Sequence, residues 1–241
     1  MARQPRLVLP GIALHIVQRG NNRGICFYGD SDYLCYLTNL RKLSAKYGCV
    51  VHAYCLMTNH VHLLLTPGGP DACKKLMRDL GQCYVRYFNR RHNRTGTLWE
   101  GRFRSCVVES AHYVLACYRY IELNPVRAGM ANHPRSYTWS SYAANSGRAV
   151  DVLASPHPEY LALGSDTRRR YTSYERLLDE AMDDSAITAI RDATHGNLPL
   201  ASESFKVGLQ ARGRKVQRGK PGPRPGKSEE TGEHAQQEIV L

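Results

Sequence analysis

Two histidines one residue apart, His60 and His62, are the first residues whose types and spacing suggest chemistry. They lie in residues 50–66, VVHAYCLMTNHVHLLLT. Two apolar runs rich in β-branched residues flank Thr58-Asn59, the pattern of a β-hairpin in a sheet core. Alternate residues of a strand share a face, so both imidazoles aim the same way while Val61 enters the opposite layer. That is a geometry for holding a metal. By itself His-x-His is better read as two hydrogen-bonded surface histidines. A metal needs a third ligand, and phosphoester chemistry needs a nucleophile.

Both types occur together in residues 110–129, SAHYVLACYRYIELNPVRAG. Ser110 suits an N-cap, Val114, Cys117, Tyr118 and Ile121 recur as a buried helical stripe, and Pro125 is expected to stop the helix after Asn124. Tyr120 and Asn124 are four apart and share a helix face beside that stripe. An amide oxygen can ligate a hard divalent ion, and a phenolate can attack a phosphorus.

His60-Val61-His62 followed by YIELNP from Tyr120 resembles the single-tyrosine HUH transposases, most closely the bacterial REP-associated tyrosine transposases. CLMTNHVHLLL from Cys55, GTLWEGRFRS from Gly96, YIELNPVRAG from Tyr120 and WSSY from Trp139 support the resemblance. It covers residues 5–142 well and continues more weakly to 209. It implies an α+β, ferredoxin-like HUH endonuclease fold, with the histidines in the sheet and Tyr120 on a helix docked beside it. The expected roles are Tyr120 as nucleophile and His60, His62 and Asn124 as holders of Mg²⁺ or Mn²⁺. The expected substrate is single-stranded DNA carrying a repetitive extragenic palindrome folded as a hairpin. Cleavage would leave a 5′-phosphotyrosyl link and a free 3′-hydroxyl, so that strands are transferred without a nucleotide triphosphate. Arg19, Asn21, Arg23, Arg102, Arg104 and Arg127 are candidates for holding the DNA. Glu122 points elsewhere on its helix, and no general base is assigned. The protein is expected to act as a monomer or a homodimer.

Composition agrees with that partner. The 241 residues carry a formal net charge of +12 with 42% hydrophobic content, a globular chain with the cationic surplus that phosphate backbones attract. Pro10 and Gly11 interrupt the only apolar stretch near the N-terminus, and no run approaches bilayer length. A cytoplasmic, nucleoid-associated protein with no membrane partner is expected. Eight cysteines without a C-x-x-C pair read as small buried residues in a reducing compartment, not as a zinc site or disulfide framework.

The elements needed to position the site follow in order. Residues 12–18 read as a strand, and 19–24, RGNNRG, as its polar turn. Asp30 caps a helix to 47 with Leu34, Leu37, Leu40 and Leu43 inward. Pro70 starts a second helix, with Tyr84 and Tyr87 more core than stacking platform, ending in the basic run 89–94. Residues 96–108 read as a strand bent near Gly101, placing Arg102 and Arg104 on one face. The β-α-β-β-α-β-α order suits a small antiparallel sheet with helices on one face. The transposase or nuclease domain is thus assigned to 1–142. A helical accessory region spans 143–209, with helices near 167–181, 184–194 and 203–209. The tail 210–241, basic then acidic, is too polar to fold.

Three other readings compete. A replication-initiator or relaxase nuclease would share the histidines and tyrosine, but Asn-Pro after the tyrosine's turn fits it less well. A hydrolytic metalloenzyme would want further ligands soon after His62, and residues 63–67 offer none. A palindrome-binding protein that does not cut would bind DNA without using Tyr120.

Overall fold

Alternation along the strands sets the layout. The computed structural model describes residues 6–217, so the tail expected over 210–241 falls outside the described residues from 218 onward. The chain runs β1 (Ala13–Arg19), α1 (Asp30–Tyr47), β2 (Cys49–Met57), β3 (His60–Pro67), α2 (Ala72–Arg91) and β4 (Arg104–Val108). The strands form one antiparallel sheet in the order β2–β3–β1–β4. This is the split β-α-β, ferredoxin-like arrangement.

Leu14, Ile16, Leu56, Val61, Leu63 and Leu65 point to one sheet face and pack with Tyr36, Leu40, Leu76, Leu80 and Tyr84 of α1 and α2. Within α1 the buried stripe is Tyr33, Tyr36, Leu40 and Leu43, whereas Leu34, expected inward, is 56% exposed. Both stripes have helical spacing. The aromatic one wins because Phe27 and Trp139 stack on Tyr33. Tyr84 is wholly buried, its hydroxyl donating to the Cys26 carbonyl.

The expectation of helices on one face holds only for α1 and α2. Ala13, Cys55, Leu64, Cys106 and Val108 point to the opposite face, and leaving it in water would expose a second apolar layer. The rest of the chain covers it. α3 (Ala111–Glu122) lies across β2 and β3, and α4 (Asn124–Arg127), α5 (Tyr142–Asn145), α6 (Pro158–Leu161), α7 (Thr167–Asp179), α8 (Asp184–Gly196) and α9 (Glu203–Ala211) follow. Tyr160, Tyr174, Leu178, Ile190, Ala193 and Leu200 share one apolar cluster with α3 and this face of the sheet. Much of the region 143–209 is therefore built onto the sheet.

The same segments close both sheet edges, which would otherwise offer unpaired backbone groups. Leu56 N donates to the Trp139 carbonyl and Ser141 N to the Tyr54 carbonyl along β2. Leu200 N donates to Val107, and Glu109 N to Leu200, along β4. Among the described residues no helix is long and apolar enough to cross a membrane, and all eight cysteines are free thiols, six of them buried.

Candidate active site

The site forms where the second sheet face meets α3. In the β1–β3 pairing His62 lies opposite Val17 and His60 opposite Arg19. The two histidine rings are 4.9 Å apart, inclined by 74°. Because α3 turns Val114, Cys117, Tyr118 and Ile121 into the core, Tyr120 falls on the flank facing the histidines. Its ring stands edge-on to His62 and to His15, with centroids 5.7 Å away in each case. The Arg127 guanidinium lies over the same ring, 4.3 Å from its centre, and donates to the Tyr120 carbonyl.

Hydrogen bonds hold both histidines by Nδ1. Asn59 Nδ2 donates to the Arg23 carbonyl at 3.1 Å, which turns Asn59 Oδ1 toward His60 Nδ1 at 2.6 Å. An amide oxygen only accepts, so His60 carries its proton on Nδ1 and leaves Nε2 bare. His62 Nδ1 lies 2.9 Å from His15 Nε2. Burial first, then the Arg19 charge, lowers the His60 pKa to about 4. His62 is held well below the ordinary imidazole range by burial, and further by His60, His15, Arg127 and Arg19. Both rings are therefore neutral at neutral pH, the form in which imidazole ligates a metal.

Asn124 stands one short step beyond the tyrosine's helix. α3 ends at Glu122 instead of running through Asn124, but Leu123 keeps a helical backbone and α4 resumes at once. Pro125 sits at the start of α4, where a missing N–H is not needed. The Asn124 amide nitrogen is buried without a hydrogen-bond partner. An amide can present either end on rotation about its last bond, so this unpaired position suits an oxygen ligand. Among the described residues no group of three or more His, Cys, Asp or Glu is placed to hold a metal. A metal held by the histidine pair would need a third donor of another type, and the open Nε2 of His60, the neutral His62 ring and an amide oxygen are donors of the kind a divalent cation accepts.

Glu122 faces away, as its helix position implies. Its carboxylate is wholly buried and accepts from Ser141 Oγ at 2.5 Å, Asn145 Nδ2 at 2.7 Å and the Tyr174 hydroxyl at 2.6 Å. It ties α3 to α5 and α7.

The expected DNA contacts divide between separate surfaces. Arg19 is beside His60 by register. Asn21 and Arg23 lie in an exposed 3-10 turn, which docks on the β2–β3 turn through Gly20 N to Asn59 O, and Cys26 N and Phe27 N to Thr58 O. Arg102 and Arg104 do not share a face, contrary to the expected long bent strand. The strand begins only at Arg104, after a turn at Gly101 with φ +69°. Arg104 Nη1 donates to the His195 carbonyl in the last turn of α8 at 2.9 Å, where cations are favoured. Arg102 instead lines a groove of about 1010 Å³ beside α2, with Lys74, Arg78, Arg86, Gln18 and Trp99. This groove is on the side of the sheet away from Tyr120.

Two residues of the site escape the sequence reading. His15 is 1% exposed and Thr194 2%, and they join His62 in one hydrogen-bonded row. A histidine at the centre of the apolar strand ALHIVQR is a visible signal for the first. Nothing in the sequence points to the second.

Residues 9–124 match the family model described as IS200-like transposases. No match is found among curated proteins. Among solved structures the chain is similar to a REP-associated tyrosine transposase bound to a REP hairpin, with TM-score 0.50 and 15% identity over 66% of this chain and 93% of that one. A structure described as a candidate transposase from Deinococcus radiodurans is 18% identical over 54% of this chain and 98% of that one, with TM-score 0.36. The first of these supports the fold alone.

Proposed function

We propose, on the premise that residues 9–124 belong to the IS200-like transposase family, that this chain cleaves and rejoins single-stranded DNA through Tyr120. A transposase function follows from the family. The chemistry is inferred from the residues. One observation carries it: the Tyr120 ring stands 5.7 Å from that of His62, with Arg127 stacked over it. A structural tyrosine in a core needs neither a buried neutral histidine pair nor a stacked cation.

In the proposed reaction the Tyr120 oxygen attacks a backbone phosphorus, a new Tyr–O–P bond forms, and the P–O3′ bond breaks. The phenol proton is balanced by the proton gained on the departing 3′-oxygen. The phosphodiester is conserved as a 5′-phosphotyrosyl link, and attack by another 3′-hydroxyl reverses the step and frees the phenol. Nε2 of His60, Nε2 of His62 and the Asn124 amide oxygen would hold Mg²⁺ or Mn²⁺. That ion, when bound, supplies Lewis-acid polarisation of the phosphate. Arg127 places positive charge where the attacking oxygen and the phosphate meet. Arg19, Asn21 and Arg23 flank the histidines and would guide the strand, and Arg102 would hold a further part of the DNA from the α2 groove. The substrate proposed is a hairpin formed by a palindromic repeat, with the protein working as a monomer or homodimer on nucleoid DNA in the cytoplasm.

The test is a denaturing gel of the purified chain with labelled hairpin and linear oligonucleotides, with Mn²⁺, with chelator, and as Tyr120→Phe. The expected result is a covalent protein-DNA band that needs Mn²⁺ and disappears in the variant. Tight hairpin binding with no adduct under any metal would overturn the proposal and leave a palindrome-binding protein.

A further inference from the structure

The row of hydrogen bonds behind His62 does not end at its neighbour. His15 Nε2 meets His62 Nδ1 at 2.9 Å, and His15 Nδ1 meets Thr194 Oγ1 at 2.9 Å. The Thr194 hydroxyl donates to the Ile190 carbonyl one turn earlier on α8 at 2.7 Å. Cys106 Sγ, 3.3 Å from the same oxygen, completes its surroundings. The row thus crosses from helix α8, through β1, to β3.

We propose that Thr194 and His15 form a positioning relay that sets the tautomer of His62. A carbonyl can only accept, so the Thr194 proton is committed to Ile190 and its oxygen is left to accept. His15 Nδ1 must then carry the proton that it gives to Thr194, which leaves His15 Nε2 bare. A bare Nε2 facing His62 Nδ1 requires the proton on that Nδ1, and His62 Nε2 is left open. The opposite order would put a hydrogen on His62 Nε2 and block it as a ligand.

His60 reaches the same tautomer by a separate route, through Asn59 and the Arg23 carbonyl. Two independent devices therefore prepare two adjacent histidines identically. One is local to the hairpin, while the other comes from a helix more than a hundred residues away in sequence. Partners of this kind orient ligating histidines, and their loss commonly weakens metal binding about 10- to 100-fold. The relay gives α8 a direct function at the site. Its consequence for metal rests on the histidine-pair reading above, whereas the tautomer itself is a property of the metal-free protein.

The experiment uses the full chain labelled with ¹⁵N at histidine, without metal, at pH 7.5. Long-range proton–nitrogen spectra distinguish a protonated ring nitrogen from a bare one, and a His62→Gln variant assigns the signals. The expected spectrum has His62 bare at Nε2 in the wild type and in Thr194→Ser, and protonated at Nε2 in Thr194→Val. Mn²⁺ titration followed by electron paramagnetic resonance should show Thr194→Val binding about tenfold or more weakly, with Thr194→Ser close to wild type. A wild-type His62 protonated at Nε2 would overturn the relay without recourse to any variant. So would a folded Thr194→Val protein with an unchanged tautomer, while a switched tautomer with unchanged Mn²⁺ affinity would overturn the consequence for the metal. If His60→Ala binds Mn²⁺ as the wild type does, the metal reading fails, and the spectra still decide the relay.

Discussion

Arg127 holds its guanidinium over the ring of Tyr120 and donates to that residue's own carbonyl. The cation is therefore tied to the backbone turn that carries the phenol, and it moves with it. Burial lowers the Arg127 pKa without removing its charge, and a partly desolvated charge acts strongly on neighbours.

Arg127→Ala is accordingly expected to slow adduct formation on the order of 100-fold, with little change in hairpin affinity. Arg127→Lys should fall between, since a compact ammonium keeps the charge but not the stacking plane. Single-turnover rates and binding isotherms on one hairpin separate the two effects. An unchanged rate with weakened binding would make Arg127 a DNA-holding residue only.

Arg102 and Arg104 should behave differently despite their closeness in sequence. Arg102→Ala is expected to weaken hairpin binding and reduce the salt slope of log K by about 1, the signature of one lost phosphate contact. Arg104 spends its side chain on the His195 carbonyl, so Arg104→Ala should leave the slope alone and lower the melting temperature. Binding measured across a salt series, beside thermal melts, checks both.

Gly20 is where the first loop turns beneath the hairpin, and it has no room for a side chain. A Cβ there would lie 2.2 Å from the Gly24 carbonyl oxygen and 2.7 Å from Cys26 Sγ. Gly20→Ala is expected to cost about 3 kcal/mol or more, because a backbone atom cannot step aside. At Gly29 a Cβ meets nothing within 4 Å and the backbone is extended, φ −164°, so Gly29→Ala should stay within about 1 kcal/mol of wild type. Urea unfolding of the two variants gives the comparison.

Acid should destabilise the fold through its buried histidines. His52, 3% exposed, is 2.8 Å from both the Ser155 carbonyl and Thr66 Oγ1, and burial lowers its pKa to about 4. The unfolded chain binds this proton below about pH 6.5, while the folded protein resists it until about pH 4. The contribution is thus fully present above pH 6.5 and is lost as the pH falls toward 4, on the order of 2–3 kcal/mol. His52→Gln should flatten the fall in unfolding free energy between pH 7 and pH 4.5. An equally steep fall in the variant would show that His52 does not contribute to it.

Short-range periodicity carried much of the site. The period of two in β3 put His60 and His62 on one face, and the stripe of Val114, Cys117, Tyr118 and Ile121 left Tyr120 on the flank of α3. Both readings need only a few neighbouring residues, because strand and helix geometry repeat locally. Alternation in the strands did not say what would cover the second sheet face. Choosing between Leu34 and Tyr36 as the inward side of α1 required the partners, Phe27 and Trp139, that come from elsewhere in the chain.

The sequence by itself determined the types and local spacing of the reactive groups, hence the histidine pair, the phenol and the basic character of the surface. Only the tertiary structure decided which ring nitrogen of His60 carries the proton, which arginine reaches Tyr120, and which of Arg102 and Arg104 is taken up by a helix end. Those choices depend on β1 pairing with β3 and on α8 packing against β1 and β4. The hydrogen bonds and stacking contacts that make them act over a few ångströms in space, at sequence separations where a chain's pattern carries no register.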